Sequence, residues 1–326
     1  MEMLRPNSIG HGWMIIAETA ARLRENIQKV IVGKDEVIDL ALIAMLCEGH
    51  LLLEDVPGTG KTTLAKTIAA SLGCTFRRVQ FTPDLLPSDL TGIYYFNQKS
   101  QEFEYRSGPI MSQILLADEI NRATPRTQSA LLEAMQEQQV TVDISTHKLP
   151  RPFLVLATQN PIELEGTFPL PEAQLDRFLM KVAIGYPDEE GENNILLRFE
   201  RTDPLDALRQ VVQSEEIIQM QEDVRQINVE VSVRRYLVQV CRATRDHEEI
   251  ALGASPRATM ALYRTCQARA AIEGRSFVIP DDVKIMSPHV LIHRLIVNPQ
   301  TRLRGRTAED VIREVVDTVP VPVEAA

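Results

Sequence analysis

The chain has 326 residues, which suits two domains, one of them large. Hydrophobic residues make up 44% and charged residues 25%, the composition of a globular protein with ample material for a core. Acidic residues outnumber basic ones by 45 to 35, and the resulting net charge of -10 argues against a protein that coats nucleic acid.

The first predicted elements are two helices that follow a loose arm at residues 1–12. From Trp13 to Val30 apolar residues recur in steps of three and four, which predicts an amphipathic helix. Gly33 ends it, and residues 36–47 predict a second, more buried helix.

Five short apolar runs separated by helical segments predict a parallel sheet. They are mostly apolar, as strands buried on both faces are. The runs lie at residues 51–53, 79–81, 114–117, 153–157 and 178–183. We therefore expect an α/β core of five parallel strands with helices on both faces.

Two segments within this core alternate in polarity and predict hairpins. The first covers about residues 91–106, with Tyr94 and Tyr105 on either side of a polar turn, and the second about residues 139–150. Hairpin strands are antiparallel, so we expect both to project from the parallel sheet. Loops without strand pairing are the alternative.

Beyond Pro187 the pattern becomes helical. The expected domains are therefore residues 13–187, the α/β domain, and residues 188–318, an all-helical lid. The tail at residues 319–326 is expected to be extended, because it contains two prolines. Helices are predicted at residues 194–200, 214–227, 232–246, 256–273, 280–296 and 307–316.

A phosphate-binding loop is predicted between the first apolar run and the following helix. Backbone N–H groups at such a helix N-terminus bind phosphates, and Gly58 and Gly60 let the backbone approach without a Cβ. We expect Lys61 to pair with the β- and γ-phosphates and the Thr62 hydroxyl to ligate Mg²⁺. The loop consists of Pro57, Gly58, Thr59, Gly60, Lys61, Thr62 and Thr63.

One position departs from the usual phosphate-loop pattern. That pattern begins with glycine six residues before the lysine, and here the position is occupied by Asp55. Aspartate tolerates unusual backbone angles better than most residues, which we take as the reason for the exchange.

Two adjacent acids, Asp118 and Glu119, end the third apolar run. Successive strand residues point to opposite sides, so the two carboxylates can take different roles. We expect Asp118 to hold Mg²⁺ through water and Glu119 to orient and deprotonate the attacking water. Their position at the end of a predicted strand supports these roles, because ligands of open α/β sheets bind at the carboxyl ends of the strands. A pair of solvated acids is the alternative.

Four further polar residues are candidates for the site. Asn160 follows the fourth run and can bond the γ-phosphate or the water, although asparagine before proline is also a common turn residue. Arg177 is either a surface cation or a finger for a neighbouring subunit. Arg257 lies in the first turn of a helix, where a cation is disfavoured unless an anion such as a nucleotide phosphate is near. Arg122 is a candidate for a subunit junction.

Other site classes lack support. The four cysteines, at positions 47, 74, 241 and 266, have no metal-ligand or Cys-x-x-Cys spacing, and buried single thiols are the ordinary interpretation. The N-terminus has no basic segment followed by an apolar one, and the longest apolar run, residues 40–47, is too short to span a membrane. The sequence predicts a cytoplasmic protein.

With these residues in place, the sequence resembles the MoxR family of AAA+ ATPases from about residue 30 to about residue 304. The most specific segments are residues 53–62, 117–123, 157–161 and 166–178. The resemblance implies an ATPase that uses ATP and Mg²⁺. It makes Asp118 and Glu119 the Walker B pair, Asn160 sensor 1, Arg177 the arginine finger and Arg257 sensor 2.

The same resemblance implies an adenine contact at Val32 and Gly33, and it makes the Asp55 variation usual within the family. The two hairpins would be the helix-two insert and the pre-sensor-1 hairpin, which face a central pore or a client. The protein would act as a chaperone-like hexameric ring on a protein client, alongside a partner with a von Willebrand A domain.

Two other functions stay open on the sequence. An ATP-gated assembly scaffold would bind ATP and scarcely hydrolyse it, against which the set of Glu119, Asn160 and Arg177 argues. A nucleic-acid motor is disfavoured by the isoelectric point of about 5.2 and by the lack of a basic aromatic platform. A GTPase is disfavoured because no Asn-Lys-x-Asp motif is present.

Overall fold

A five-stranded parallel sheet forms the centre of the first domain in the computed structural model, which describes residues 12–143, 145–160 and 166–322. The described strands are β1 (Leu51–Glu54), β2 (Phe76–Gln80), β3 (Gly92–Asn97), β4 (Glu102–Ser107), β5 (Ile114–Asp118), β6 (Gln139–Val142), β7 (Ser145–Lys148), β8 (Leu154–Gln159), β9 (Met180–Val182), β10 (Ile250–Leu252) and β11 (Ile296–Val297).

The helices surround this sheet and form most of the lid. In the described residues they are α1 (Gly12–Gln28), α2 (Asp35–Leu46), α3 (Lys61–Leu72), α4 (Pro87–Thr91), α5 (Pro125–Glu137), α6 (Glu172–Leu175), α7 (Glu189–Phe199), α8 (Pro204–Ala207), α9 (Ser214–Val224), α10 (Val231–Asp246), α11 (Pro256–Ile272), α12 (Pro280–Leu291), α13 (Pro299–Leu303) and α14 (Ala308–Thr318).

The strand order is β2-β5-β8-β1-β9, and all four pairings are parallel. This order brings the carboxyl ends of β1, β5 and β8 to one edge of the sheet, because parallel strands share a direction. The five predicted strands and the helices on both faces are thereby confirmed.

The two faces of the sheet belong to different hydrophobic clusters. In β1, Leu51 and Leu53 pack with α1, α2 and α3, whereas Leu52 packs with α5 on the other face. Strand β2 differs, since Arg77, Arg78 and Gln80 are exposed and Val79 is buried. The expectation that every strand is buried on both faces is wrong for β2, which lies at the edge of the sheet.

The two predicted hairpins are present. Strand β3 pairs antiparallel with β4, with Tyr94 opposite Tyr105, and β6 pairs with β7, with Val140 opposite His147. The hairpins contact each other, because the Tyr94 hydroxyl lies 3.2 Å from His147 Nε2 and the Tyr105 ring stacks on His147 at 4.0 Å. Residue 144, within the second predicted hairpin, lies outside the described residues.

The lid packs on the side of α1 and α2. Helices α9 and α11 each contact both of them, and α12 contacts β9, so the lid continues one hydrophobic cluster of the sheet domain. The boundary near Pro187 stays a prediction.

The lid is mainly helical as predicted, and it adds the short helices α8 and α13 and a two-stranded ribbon. Helix α12 ends at Leu291 instead of residue 296, a 3₁₀ turn follows at Ile292–Arg294, and β11 then pairs antiparallel with β10. Residues 296 and 297 are β-branched, which suits this short ribbon. Helix α7 begins five residues earlier than predicted, because the Asp188 carboxylate accepts a hydrogen bond from Gly191 N at 2.8 Å and caps it.

Parts of the predicted arm and tail, residues 1–11 and 323–326, lie outside the described residues. Within the described ranges, every helix is too short or too polar to cross a lipid bilayer.

Candidate nucleotide-binding site

The predicted phosphate loop lies between β1 and α3. Gly58 and Gly60 adopt φ values of +87° and +86°, in the left-handed region that favours glycine. A Cβ at either position would meet nothing within 4 Å, so the protein leaves open space in front of both. Glycine is therefore required here by backbone conformation, and the open space is where a phosphate can approach.

Lys61 lies curled over the same loop. Its Nζ donates to the carbonyl oxygens of Asp55 at 3.1 Å and Val56 at 2.6 Å. Burial lowers the pKa of Lys61, while the charges of Asp55, Asp118 and Glu119 oppose this effect. The ammonium is thus held at the loop and surrounded by acids that favour its charged form.

Asp118 ends strand β5 and accepts three hydrogen bonds. Thr158 Oγ1 donates to Oδ1 at 2.6 Å, and Arg78 donates to Oδ2 from Nη2 at 2.6 Å and Nε at 3.0 Å. The Thr158 hydroxyl in turn accepts the backbone N–H of Glu119 at 2.8 Å. One threonine of β8 therefore fixes the positions of both acids.

The direction of the Glu119 side chain is set by an unusual backbone conformation and not by the alternation of side chains along a strand. The strand ends at Asp118, and Glu119 has φ 56° and ψ 51°, an uncommon left-handed conformation for a non-glycine residue. The expectation that the two acids point to opposite sides of a strand is wrong, since both line one cavity. The Glu119 carboxylate accepts from Gln80 Nε2 at 2.7 Å and Arg122 Nη1 at 3.1 Å. Such strained positions cluster at functional sites.

The predicted residues meet in a cavity of about 420 Å³ at the carboxyl edge of the sheet. Asn160, at the end of β8, is buried and belongs to its lining. Thr62 and Asp118 both line this cavity, and hydroxyl and carboxylate oxygens are ligands that fit Mg²⁺. The predicted residues in the lining are Pro57, Gly58, Gly60, Lys61, Thr62, Thr63, Asp118, Glu119 and Asn160.

A second cavity of about 380 Å³ adjoins the first and shares Gly58, Gly60 and Thr63 with it. Thr59 and Val32 line this second cavity, whereas Gly33 is outside the lining and turns the chain with φ +63°. The remaining lining is mainly apolar, as a base requires: Val30, Ile31, Val37, Leu64, Ile184, Tyr186, Pro187, Ile195 and Phe199.

Three side chains of this site were missed by the sequence analysis. Arg78 and Gln80 are exposed residues of an edge strand, and Thr158 resembles any residue at the end of a buried run. Their importance depends on register, since Gln80 lies opposite Asp118 in the pairing of β2 with β5. The sequence could have shown only that Arg78 and Gln80 lie on the same face of a strand, because they are two residues apart.

Asp55 has a role that the sequence did not indicate. Its carboxylate accepts the backbone N–H groups of Gly185 at 2.6 Å, Ile184 at 3.0 Å and Val56 at 2.8 Å. It is not among the residues with positive φ, so the explanation from unusual backbone angles is wrong. Asp55 instead fastens the start of the phosphate loop to the segment after β9.

Replacing Asp55 by glycine, the residue of the general pattern, is expected to destabilise the protein. Two partly buried N–H groups after β9 would lose their acceptor, which costs about 1 kcal/mol of the free energy of unfolding, toward the lower end for an unsatisfied group. Urea denaturation measures this, with Asp55→Asn as the control that keeps one acceptor oxygen. An unchanged denaturation midpoint for Asp55→Gly would contradict the fastening role.

Arg177 and Arg257 lie away from the phosphate loop. Both line a third cavity together with His50, the residue before β1. They therefore lie near the amino end of β1, whereas the phosphate loop follows its carboxyl end. A strand of four residues separates these ends by about 13 Å at ~3.3 Å per residue. The anion beside Arg257 in its own chain is Asp176, at 4.0 Å, and the nucleotide phosphate expected there stays a prediction.

Comparisons with known proteins agree with this arrangement. The family described as ATPases associated with various cellular activities (AAA) matches residues 50–180, and the AAA lid domain matches residues 242–315. The uncharacterised protein YeaC of Bacillus subtilis is 49% identical over 300 residues, which cover 92% of this chain and 94% of YeaC.

Two further relatives connect the chain with named proteins and with a solved structure. Chaperone MoxR1 of Mycobacterium tuberculosis is 42% identical over 313 residues, covering 93% of this chain and 82% of the relative. The crystal structure of a candidate ATPase from Cytophaga hutchinsonii superposes with a TM-score of 0.90 at 37% identity, covering 96% of this chain and 98% of that one.

Proposed function

Because the chain belongs to the MoxR family of AAA+ ATPases, we propose that it hydrolyses Mg²⁺-bound ATP as a subunit of a chaperone-like ring. The observation that carries this proposal is the single cavity in which Lys61, Asp118, Glu119 and Asn160 lie together.

In this proposal the loop binds the triphosphate. The backbone N–H groups from Gly58 to Thr62 lie at the N-terminus of α3, where they and the helix dipole attract phosphate. Lys61 turns from its carbonyl partners to the β- and γ-phosphates, and the base occupies the adjoining apolar cavity. Thr62 and Asp118 would hold Mg²⁺, which would neutralise charge on the phosphates.

Glu119 acts on the attacking water as general base. Its carboxylate is held by Gln80 and Arg122, and its backbone N–H by Thr158, so its position is defined before a substrate arrives. Asn160 orients the water or the γ-phosphate from the neighbouring strand end. Both groups are aligned at one edge of the sheet, which supports turnover over the alternative of an ATP-gated scaffold.

The site is completed by a neighbouring subunit. Arg177 and Arg257 line a cavity at the amino end of β1, whereas the phosphate loop follows the carboxyl end of this strand, whose four residues span about 13 Å at ~3.3 Å per residue. Both side chains lie in one cavity at the opposite edge of the sheet domain, where they can meet the γ-phosphate of the next copy. This head-to-tail contact closes into a ring, for which we propose six subunits.

The work of the ring is the remodelling or activation of a protein client. The name of the relative Chaperone MoxR1 supports a chaperone-like role. The hairpins β3–β4 and β6–β7 are proposed to face the pore or the client, since Phe96 and Phe103 are 46% and 72% exposed there. A partner with a von Willebrand A domain and a cytoplasmic location belong to the same proposal.

Replacing Lys61 by alanine is expected to weaken ATP binding about 10- to 100-fold, because a charged hydrogen bond contributes about 1.5–3 kcal/mol. Titration of a fluorescent ATP analogue measures this directly. Lys66→Ala, at an exposed position of the same helix, is the control and is expected to bind normally. Wild-type affinity of Lys61→Ala would contradict the proposed phosphate site.

A further inference from the structure

We propose that Arg294 is a positioning residue for the two arginines that each subunit presents to its neighbour's ATP, and that it ties their position to the lid. The proposal rests on the proposed function, because it assumes that Arg177 acts on the next subunit's nucleotide.

Arg294 holds the backbone on both sides of Arg177. Its Nε donates to Asp176 Oδ1 at 2.6 Å, and its Nη2 donates to the carbonyl oxygens of Phe178 at 2.6 Å and Asp176 at 3.3 Å. Its Nη1 donates to the carbonyl oxygen of Leu179 at 3.0 Å. One guanidinium from the lid thus binds the residues immediately before and after the proposed finger.

This contact is buried, which makes its geometry strict. The Arg294 side chain is 4% exposed. Burial lowers the pKa of Arg294, and the hydrogen bond and charge of Asp176 oppose that effect. A buried guanidinium must have its N–H groups satisfied, so a displaced segment 176–179 would leave charged donors unpaired. The adjacent His293 adds a second tie, with Nε2 3.0 Å from the Phe178 carbonyl oxygen.

Asp176 connects Arg294 to the second proposed arginine. While its Oδ1 accepts from Arg294, its Oδ2 lies 4.0 Å from Nη1 of Arg257, whose side chain is 51% exposed. Arg177 lines the same cavity, and within the described ranges its side chain has no hydrogen bond or ion pair to hold it elsewhere. The pair of Asp176 with the buried Arg294 therefore supports the partly exposed Arg177 and the half-exposed Arg257.

The lid also lines the cavity proposed for the base of the subunit's own ATP. Its first helix, α7, contributes Ile195 and Phe199 to this apolar cavity beside the phosphate loop. Arg294, in the 3₁₀ turn after α12, belongs to the same domain. A lid that shifts with nucleotide state in one site would therefore move the finger that serves the next site.

The test mixes pairs of variants and measures ATPase activity. Arg294→Ala alone is expected to lose about 100-fold in kcat with little change in KM for ATP, since small misplacements of catalytic groups have effects of this size. Mixed in equal amounts with Glu119→Gln, which retains normal fingers, it is expected to recover about a quarter of the wild-type rate, because one junction in four is complete. Mixed with Arg177→Ala, it is expected to recover nothing.

The opposite pattern, rescue by Arg177→Ala and none by Glu119→Gln, would overturn the proposal by placing the defect in the subunit's own site. Absence of rescue in both mixtures would overturn it as well. The proposed function is tested separately by mixing Glu119→Gln with Arg177→Ala. If this mixture shows no ATPase activity above that of its components, the shared site is wrong, whatever the role of Arg294.

Two further variants separate positioning from folding. Arg294→Lys keeps the charge and loses the fork, and it is expected to show the same rescue pattern. Arg275→Ala removes another lid arginine, bonded to the buried Asp282 at 2.7 Å but remote from segment 176–179, and is expected to show no finger defect. Loss of nucleotide binding by both Arg294 variants would overturn the proposal, because Arg294 would then support the fold alone.

Discussion

Arg177→Ala is expected to lower kcat for ATP hydrolysis by about 1,000-fold or more, the range in which arginine fingers act, while ATP binding is unchanged. The side chain lies at the amino edge of the sheet, beside His50 and Arg257, and the phosphate loop is at the carboxyl edge. In the proposed ring, its effect therefore reaches the nucleotide of the neighbouring subunit. Steady-state kinetics with a binding titration of the same preparation separates kcat from affinity.

Arg177→Lys is the matched variant for this prediction. Lysine keeps the charge but cannot present two parallel N–H groups to a phosphate, so we expect it to restore a small part of the activity. Full ATPase activity of Arg177→Ala would show that Arg177 is not an arginine finger. A loss of ATP affinity by Arg177→Ala, with kcat retained, would mean that Arg177 contacts the ground-state nucleotide only.

Glu119→Gln is expected to retain ATP binding and to lose about 100- to 10,000-fold in kcat, the usual contribution of a general base. Glutamine has nearly the same shape and can still accept hydrogen bonds from Gln80 and Arg122 through its amide oxygen. It cannot take the proton from the attacking water. A single-turnover assay with radiolabelled ATP isolates this chemical step from product release.

Glu133→Gln, an exposed glutamate of α5, controls for the loss of a negative charge and is expected to behave as wild type. Wild-type turnover by Glu119→Gln would show that another group activates the water. Loss of ATP binding by the same variant would show that the carboxylate supports the cavity rather than the reaction.

Much of the sheet domain was predictable because its signals are local. The phosphate loop is seven consecutive residues between a strand and a helix, and each central strand is an uninterrupted apolar run. The hairpin β3–β4 was predictable for the same reason, as its alternation lies within sixteen residues. Asp118 and Glu119 followed from their place at the end of such a run.

Other features depend on residues far apart in the chain and were not predictable. Asp55 acts through the backbone of residues 184 and 185, and its sequence context resembles an ordinary turn. Arg78 and Gln80 acquire a role through the register of β2 with β5.

The place of Arg257 was unpredictable for a different reason. Its helix, α11, could have covered the phosphate loop, but it packs on α1 and α2 instead. Helical periodicity shows that α11 buries one face and does not show which neighbour covers it. The lid position, and with it the side of the sheet on which Arg257 lies, is decided by that packing.

Each ATP site is proposed to be built from two subunits, and a mixture of Glu119→Gln with Arg177→Ala tests this most directly. Each variant alone is nearly inactive, but a junction between an intact Glu119 and a neighbour's intact Arg177 would be complete. Equal amounts are expected to give about a quarter of the wild-type ATPase rate once subunits have mixed at random. A mixture no more active than its components would contradict the shared site.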